Sequence, residues 1–231
     1  MPPGAVTGLA AEARIIRRTG WRAVAAGGDA ARTAAAIAGL IAEGASGLIS
    51  FGIGGGLDPA LASGSLVLPL AVQDEAGTRL PVDCAWHDAV AAALAQAGIA
   101  ATSGDVLGAE EIVATPENKR SLHTGGAVIA DLESHLVARA AAAAGIPFLV
   151  LRAVADPAGH GVPPAARMGL DAEGRAALGP VLRSLLRQPA QLPALLRIAG
   201  ETRAALRALR RAAPALGRTA GVSKMTRTSR Y

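Results

Sequence analysis

The sequence predicts an α/β fold with a central, largely buried sheet flanked by helices. Two observations carry this. Short apolar runs bounded by glycine alternate along the chain with helical stretches of about 10–15 residues. The runs are continuous rather than alternating in polarity, as in strands covered on both faces. With 51% hydrophobic and 18% charged residues, the 231-residue chain can bury a sizeable core and is too apolar to be disordered.

Taken in order, Val6–Thr7 reads as the end of a first strand, and a helix spans about Leu9 to Arg18. Asp29 is a plausible N-cap for a helix over Ala30–Ala42. Gly47-Leu-Ile-Ser-Phe51 is a short apolar run between glycines, hence a buried strand, and Ser65–Val72 is another. Asp83 or Cys84 opens an alanine-rich helix that stops at Gly98. Ile99–Ser103 and Ala127–Ala130 read as short strands. Asp131 caps a helix to Ala144, which Gly145 closes. Pro147–Ala155 is the most apolar strand, and Pro157 breaks it. Helices follow over about Asp171–Leu186 and Pro189–Ala213. This divides the chain into a body (1–188), a C-terminal helix (189–213) and a basic tail (214–231) expected to be disordered.

Composition removes several functions. Five aromatic residues, Trp21, Phe51, Trp86, Phe148 and Tyr231, cannot form a platform that stacks successive bases. A single cysteine, Cys84, excludes a disulfide framework and a cysteine-rich zinc site. His123, His135 and His160 lack metal-ligand spacing, so no metal is expected. Cys84-Ala-Trp-His87 places a thiol near an imidazole, but no oxyanion loop or third partner accompanies it. The N-terminus does not read as a signal peptide, and the charge-free runs are too short to span a bilayer, so the expected location is the cytoplasm. Residues 183–231 carry eleven basic residues and one acid, Glu201, whereas residues 1–182 carry twelve basic and seventeen acidic. The basic excess therefore belongs to the C-terminal part.

Three strand ends hold candidate chemistry, because open α/β sheets place their sites at the carboxyl ends of strands. Ser50-Phe-Gly-Ile-Gly-Gly-Gly-Leu57 runs a strand into glycines that let backbone amides approach a ligand or simply make a tight turn. It does not satisfy a dinucleotide fingerprint, since Leu57 stands where the third glycine belongs. Asp131-Leu-Glu133-Ser-His puts an acid in the first turn of a helix, which helix-dipole chemistry alone would favour. Ala153-Val-Ala-Asp156-Pro leaves an acid at the end of an apolar strand, where it caps a turn or has its acidity weakened by burial.

Read together with Glu12, placed in the loop after the first strand, these stretches resemble the purine nucleoside/uridine phosphorylase superfamily. The resemblance rests on Phe51-Gly-Ile-Gly-Gly-Gly-Leu-Asp-Pro-Ala-Leu-Ala-Ser-Gly64 and on Ile129-Ala-Asp-Leu-Glu-Ser-His, followed by Gly145-Ile-Pro-Phe-Leu-Val-Leu-Arg-Ala-Val-Ala-Asp156. It is strongest for the methylthioadenosine/S-adenosylhomocysteine nucleosidase branch. Gly8-Leu-Ala-Ala-Glu-Ala-Arg14, Leu-Glu-Ser-His, Ala-Asp-Pro-Ala and Arg187-Gln-Pro-Ala-Gln-Leu-Pro-Ala-Leu-Leu-Arg197 resemble the hopanoid-associated phosphorylases. The resemblance covers roughly residues 5–215. It implies a three-layer fold with a mixed, twisted sheet, a homodimer, and cleavage of the N-glycosidic bond of an adenine nucleoside, with adenosylhopane as the substrate of that subfamily.

The resemblance also implies roles. Asp156 matches the general acid at the purine, and the apolar run before it would raise its pKa from the usual value of about 3.9. Glu133 matches the residue that holds the ribose hydroxyls. Leu132 replaces a methionine beside the sugar, and Glu12 is the candidate for activating water. Ile53, Gly54 and Gly55 line the substrate. Leu107, in Ser103-Gly-Asp-Val-Leu107, stands where the family places an aromatic ring, so the purine is expected against Leu107. Ser50 and Ile53 replace the arginine and serine that hold phosphate in phosphorylases. Isoleucine cannot donate a hydrogen bond, which favours water over inorganic phosphate as the co-substrate. No cofactor is expected.

Two rival classes are a nucleotide-binding regulator and a basic nucleic-acid-binding protein. No helix-turn-helix or RNA-binding motif is visible, so no nucleic-acid partner is expected. Between Leu195 and Ala213, apolar residues recur at helical spacing with Arg203, Arg207, Arg210 and Arg211 largely elsewhere. The apolar face of this helix either packs on the body or rests at the inner face of a membrane, where residues 189–213 would make a peripheral contact near a lipid-linked nucleoside.

Overall fold

A computed structural model of the chain describes residues 1–167, 174, 178–219 and 221. Nine strands form one mixed sheet: β1 (Gly4–Thr7), β2 (Arg22–Ala25), β3 (Leu48–Gly56), β4 (Leu66–Val67), β5 (Ala71–Asp74), β6 (Arg79–Pro81), β7 (Asp105–Gly108), β8 (Ala127–Asp131) and β9 (Phe148–Asp156). The helices are α1 (Ala10–Arg17), α2 (Ala30–Ala42), α3 (Cys84–Gln96), α4 (Pro116–His123), α5 (Ser134–Ala144), α6 (Pro164–Arg167), α7 (Leu178–Arg187) and α8 (Leu192–Arg218). The sheet runs β2-β1-β3-β8-β7-β5-β6, with β9 paired to β3 and β4 paired to β9.

The centre of the sheet positions the site. Along Leu48–Gly54, β3 pairs parallel with β9, and at Gly55 and Gly56 it turns antiparallel to β8. Gly55 pairs with Ala130 of β8 on one side and, after a register shift, with Asp156 of β9 on the other, so the carboxyl ends of β8 and β9 flank the end of β3. Residues 48–52 and 148–155 are buried throughout, so the two apolar runs form the middle of the core.

Local signals explain several boundaries. Asp29 accepts from Arg32 N at 2.8 Å at the start of α2, and Asp83 accepts from Trp86 N at 2.9 Å at the start of α3. Asp131 accepts from the amides of Glu133 and Ser134 at the start of α5. Gly145 closes α5 with φ of 63°, the left-handed conformation that glycine adopts without strain.

Several expectations need correction. The glycines after Phe51 extend β3 rather than form a loop. Ser65–Val72 is two short strands separated by Leu68, Pro69 and Leu70, because proline cannot donate to a ladder. The run Ile99–Ser103 contributes only a bridge from Thr102 to Val67, and the strand lies at Asp105–Gly108. The strands β2 and β6 and the helix α4 were not foreseen.

The C-terminal boundary also moves. A 3₁₀ turn holds Pro189–Gln191, and α8 continues through Pro214 to Arg218. Proline inside a helix costs about 3 kcal/mol, but Ala205, Leu209, Ala212, Ala213, Ala215 and Leu216 are buried. Their burial against α1, α3 and β9 outweighs that cost. The apolar face of the C-terminal half of α8 is thus part of the core. The segment expected as a helix over Asp171–Leu186 lies outside the described residues up to 177, apart from Gly174.

Candidate active site

A cavity of about 460 Å³ opens at the carboxyl ends of β8 and β9. Gly8, Leu9, Glu12, Ile53, Gly54, Gly55, Leu132, Glu133 and Asp156 all line it. The structure therefore brings together every candidate except one. Leu107 points into a small buried cluster with Leu57, Ala127 and Ala130 and does not line the cavity. The apolar wall comes instead from Ile112, Val113, Val162 and Ile198. Leu107 does not take the place expected of it against the purine, because its cluster is covered by Val113 and Leu122.

Glu12 sits in the first turn of α1, not in the loop before it. Its Oε2 accepts from Leu9 N at 2.7 Å, and its Oε1 accepts from Ile53 N at 2.7 Å. The carboxyl thus ties the start of α1 to the end of β3. Burial pushes it up to about 7, although Arg152 and the two amides favour its ionised form.

Arg152 is the residue that sequence reasoning passed over. Its side chain is 1% exposed in the middle of β9. Its Nη2 donates to Ser50 Oγ at 2.6 Å and to Glu133 Oε2 at 3.1 Å. Its Nε lies 2.6 Å from Asp131 Oδ2 in an ion pair whose hydrogen-bond geometry is poor. A buried guanidinium needs such carboxylates, and in turn it makes their burial tolerable. Burial nevertheless leaves Glu133 raised above the ordinary glutamate range, against the pull of Arg152. The signal was present as an arginine within an otherwise apolar strand, four residues before Asp156.

Glycine makes room for this cluster. A Cβ at position 8 would lie 2.8 Å from Glu133 Oε1, and one at position 52 would lie 2.6 Å from Arg152 Nη1.

Asp156 ends β9 at the cavity wall. Its Oδ2 accepts from Lys119 Nζ at 2.6 Å, and the lysine side chain is wholly buried on α4. Burial raises the Asp156 carboxyl, and Lys119 opposes that rise. Ser50 is fully buried in hydrogen bonds to Arg152 and Ser134, so its hydroxyl is committed to the protein. No group of three or more histidine, cysteine or acidic residues among the described residues could hold a metal ion.

Residues 6–187 match the phosphorylase superfamily. The chain belongs to this superfamily. Solved structures share its fold. The 5′-methylthioadenosine/S-adenosylhomocysteine nucleosidase of Neisseria meningitidis, in complex with methylthio-immucillin-A, superposes with a TM-score of 0.69 at 18% identity, covering 94% of this chain and 98% of that one. The futalosine hydrolase of Helicobacter pylori gives 0.64 at 16% identity, covering 80% and 97%. The S-adenosylhomocysteine nucleosidase of Streptococcus pyogenes, in complex with 5-methylthiotubericidin, gives 0.63 at 17%, covering 87% and 96%. No curated protein matches the chain in sequence. The superfamily member described here carries the mixed sheet flanked by helices that its sequence predicts.

Proposed function

We propose that this superfamily enzyme hydrolyses the N-glycosidic bond of an adenine nucleoside. The observation that carries the choice of water over phosphate is the charge of the cavity. Its described lining holds Glu12, Glu111, Asp131, Glu133 and Asp156 against a single cation, Arg152. That arginine is already paired with Asp131 and Glu133. A phosphate dianion would enter a field of acidic groups with no uncommitted cation among the described residues that line the cavity.

The geometry supports a division of labour. Asp156, raised by burial, donates a proton to the departing purine, so the bond's electrons leave on a neutral base. Glu133, held by Arg152, accepts from the ribose hydroxyls while positive charge grows on the sugar. Glu12 spends one lone pair of each oxygen on Leu9 N and Ile53 N, and the others can take a proton from water. A carboxyl raised to about 7 is suited to that exchange near neutrality. Positioned acid catalysis of this kind contributes about 10²–10⁴-fold.

The finer reading is a nucleoside with a large apolar 5′ group, adenosylhopane, acted on by a homodimer at the inner face of a membrane. What supports it is the N-terminal half of α8. Ile198 and Thr202 line the cavity, while Leu192 and Leu196 of the same helix are 48% and 66% exposed. Arg197 and Arg203 stand among them, and Leu186 is exposed at the end of α7. No helix among the described residues is long and apolar enough to cross a membrane. The test is adenine release from adenosylhopane and from 5′-methylthioadenosine, with and without phosphate, followed by product mass. A free sugar formed at a phosphate-independent rate is expected, with adenosylhopane the better substrate. A sugar phosphate would overturn hydrolysis, and a preference for methylthioadenosine would overturn the lipid-linked substrate.

A further inference from the structure

Lys119 is a buried cation outside the cavity. Its side chain is 0% exposed, and it is not among the residues lining the site. Around Nζ stand four oxygens: Asp156 Oδ2 at 2.6 Å, His160 O at 2.9 Å, Asp156 O at 3.0 Å and Pro157 O at 3.1 Å. All belong to the turn that ends β9. An ammonium withdrawn from water is costly, and such a residue persists where its position is used. The turn alone could be closed by neutral donors, whereas the short contact to Asp156 requires a donor directly behind the acid.

We infer that Lys119 is a positioning residue for proton delivery: from behind the cavity it holds Asp156 through Oδ2 and carries the counter-charge to the carboxylate left when the proton moves to the leaving base. The step rests on the hydrolytic reading above, and it balances within the protein and its substrate. The proton leaves the Asp156 carboxyl for a purine nitrogen. The glycosidic electron pair goes to the base, and Asp156 remains as a carboxylate paired with Lys119. Burial and the cation act on Asp156 in opposite senses, so an acid that burial alone would make too weak is kept able to give up its proton. The other charged groups near Asp156 are Glu201 of α8, which disfavours its ionisation, His160 in the turn, and Glu12, Glu133 and Arg152 across the cavity. His160 Nδ1 lies 2.6 Å from Glu201 Oε1, so that pair is engaged with itself.

The experiment is the pH profile of adenine release by wild type, Lys119→Met and Lys119→Arg. Activity that needs protonated Asp156 falls at high pH. Removing the cation moves that limb upward by about 1–3 pH units and lowers the plateau, while Lys119→Arg keeps the limb near the wild-type position. A limb that stays in place in a folded Lys119→Met protein, with only the plateau reduced, would show a merely structural lysine and overturn the inference. Should Lys119→Met fail to fold, Lys119→Gln, which keeps a donor without charge, is read in the same way. A carboxyl ¹³C titration of Asp156, assigned with Asp156→Asn, reads the pair without substrate. It shows the upward shift even if no nucleoside is cleaved, so failure of the hydrolytic reading and failure of this inference give different results.

Discussion

Arg152 Nη2 lies 3.1 Å from Glu133 Oε2 with both side chains almost fully buried, so the acid proposed to hold the sugar is oriented by a cation that solvent does not reach. The same guanidinium pairs with Asp131, which caps the helix on which Glu133 sits. One residue therefore both orients the acid and opposes the rise that burial gives it. Replacing Arg152 with methionine leaves Asp131 and Glu133 without a counter-charge. The expected loss of stability is about 3–5 kcal/mol, read as a fall in the denaturant midpoint. Arg152→Lys recovers little, because an ammonium cannot reach Ser50, Asp131 and Glu133 from one planar fork. Full recovery by lysine would contradict the assigned geometry.

Asp156→Asn keeps the shape of the carboxyl but has no acidic proton to give. Adenine release should fall by about 10²–10⁴-fold, while a non-hydrolysable adenine nucleoside analogue binds within a few-fold of wild type by calorimetry. Equal rates in the two proteins would remove Asp156 from the chemistry.

Glu12 gives stability a pH dependence of definite sign. Its folded pKa is about 7 against an ordinary 4.5, so the folded protein binds this proton more tightly than the unfolded chain. The contribution is fully present below pH 4.5 and is lost as pH rises through 7, by about 3 kcal/mol in total. Glu133 and Asp156 are raised too and act in the same direction. Unfolding free energies between pH 4.5 and 8 should fall less steeply in Glu12→Gln than in wild type. An unchanged slope would show that Glu12 titrates as an ordinary surface acid.

Gly52→Ala would drive a methyl to 2.6 Å from Arg152 Nη1 and 2.8 Å from Glu12 Oε1. The expected cost is about 1–3 kcal/mol together with loss of adenine release. Gly39→Ala is the contrast. Position 39 is inside α2 with no atom within 4 Å of a new Cβ, and there the substitution should stabilise by about 0.5–1 kcal/mol. Thermal denaturation of the two variants separates close approach from mere helix propensity.

Much of the site was legible in the chain. Glu133 and Asp156 stand at element ends marked by local signals that ordinary capping would also produce, and it is the resemblance to a family pattern that joins them with Glu12. Arg152 and Lys119 were not legible as parts of it. An arginine inside an apolar strand and a lysine in a polar stretch take their meaning only from the carboxylates that other elements bring to them. Leu107 erred for the same reason. Its side chain is taken up by a buried cluster with Leu57, Ala127 and Ala130, which segments far apart in the chain assemble.

The sequence by itself determined the alternation of strand and helix and the buried central runs, because periodicity, caps and breakers act over a few residues, whereas the three acids were singled out by resemblance to a family pattern. Only the tertiary structure decided that β3 lies between β8 and β9, that the apolar face of the C-terminal half of α8 packs into the core, and that Arg152 and Lys119 pair with the acids. Those outcomes depend on burial and on charge pairing between segments far apart in the chain. An acid's proton affinity depends most on which cations and apolar groups surround it, and that is a property of packing.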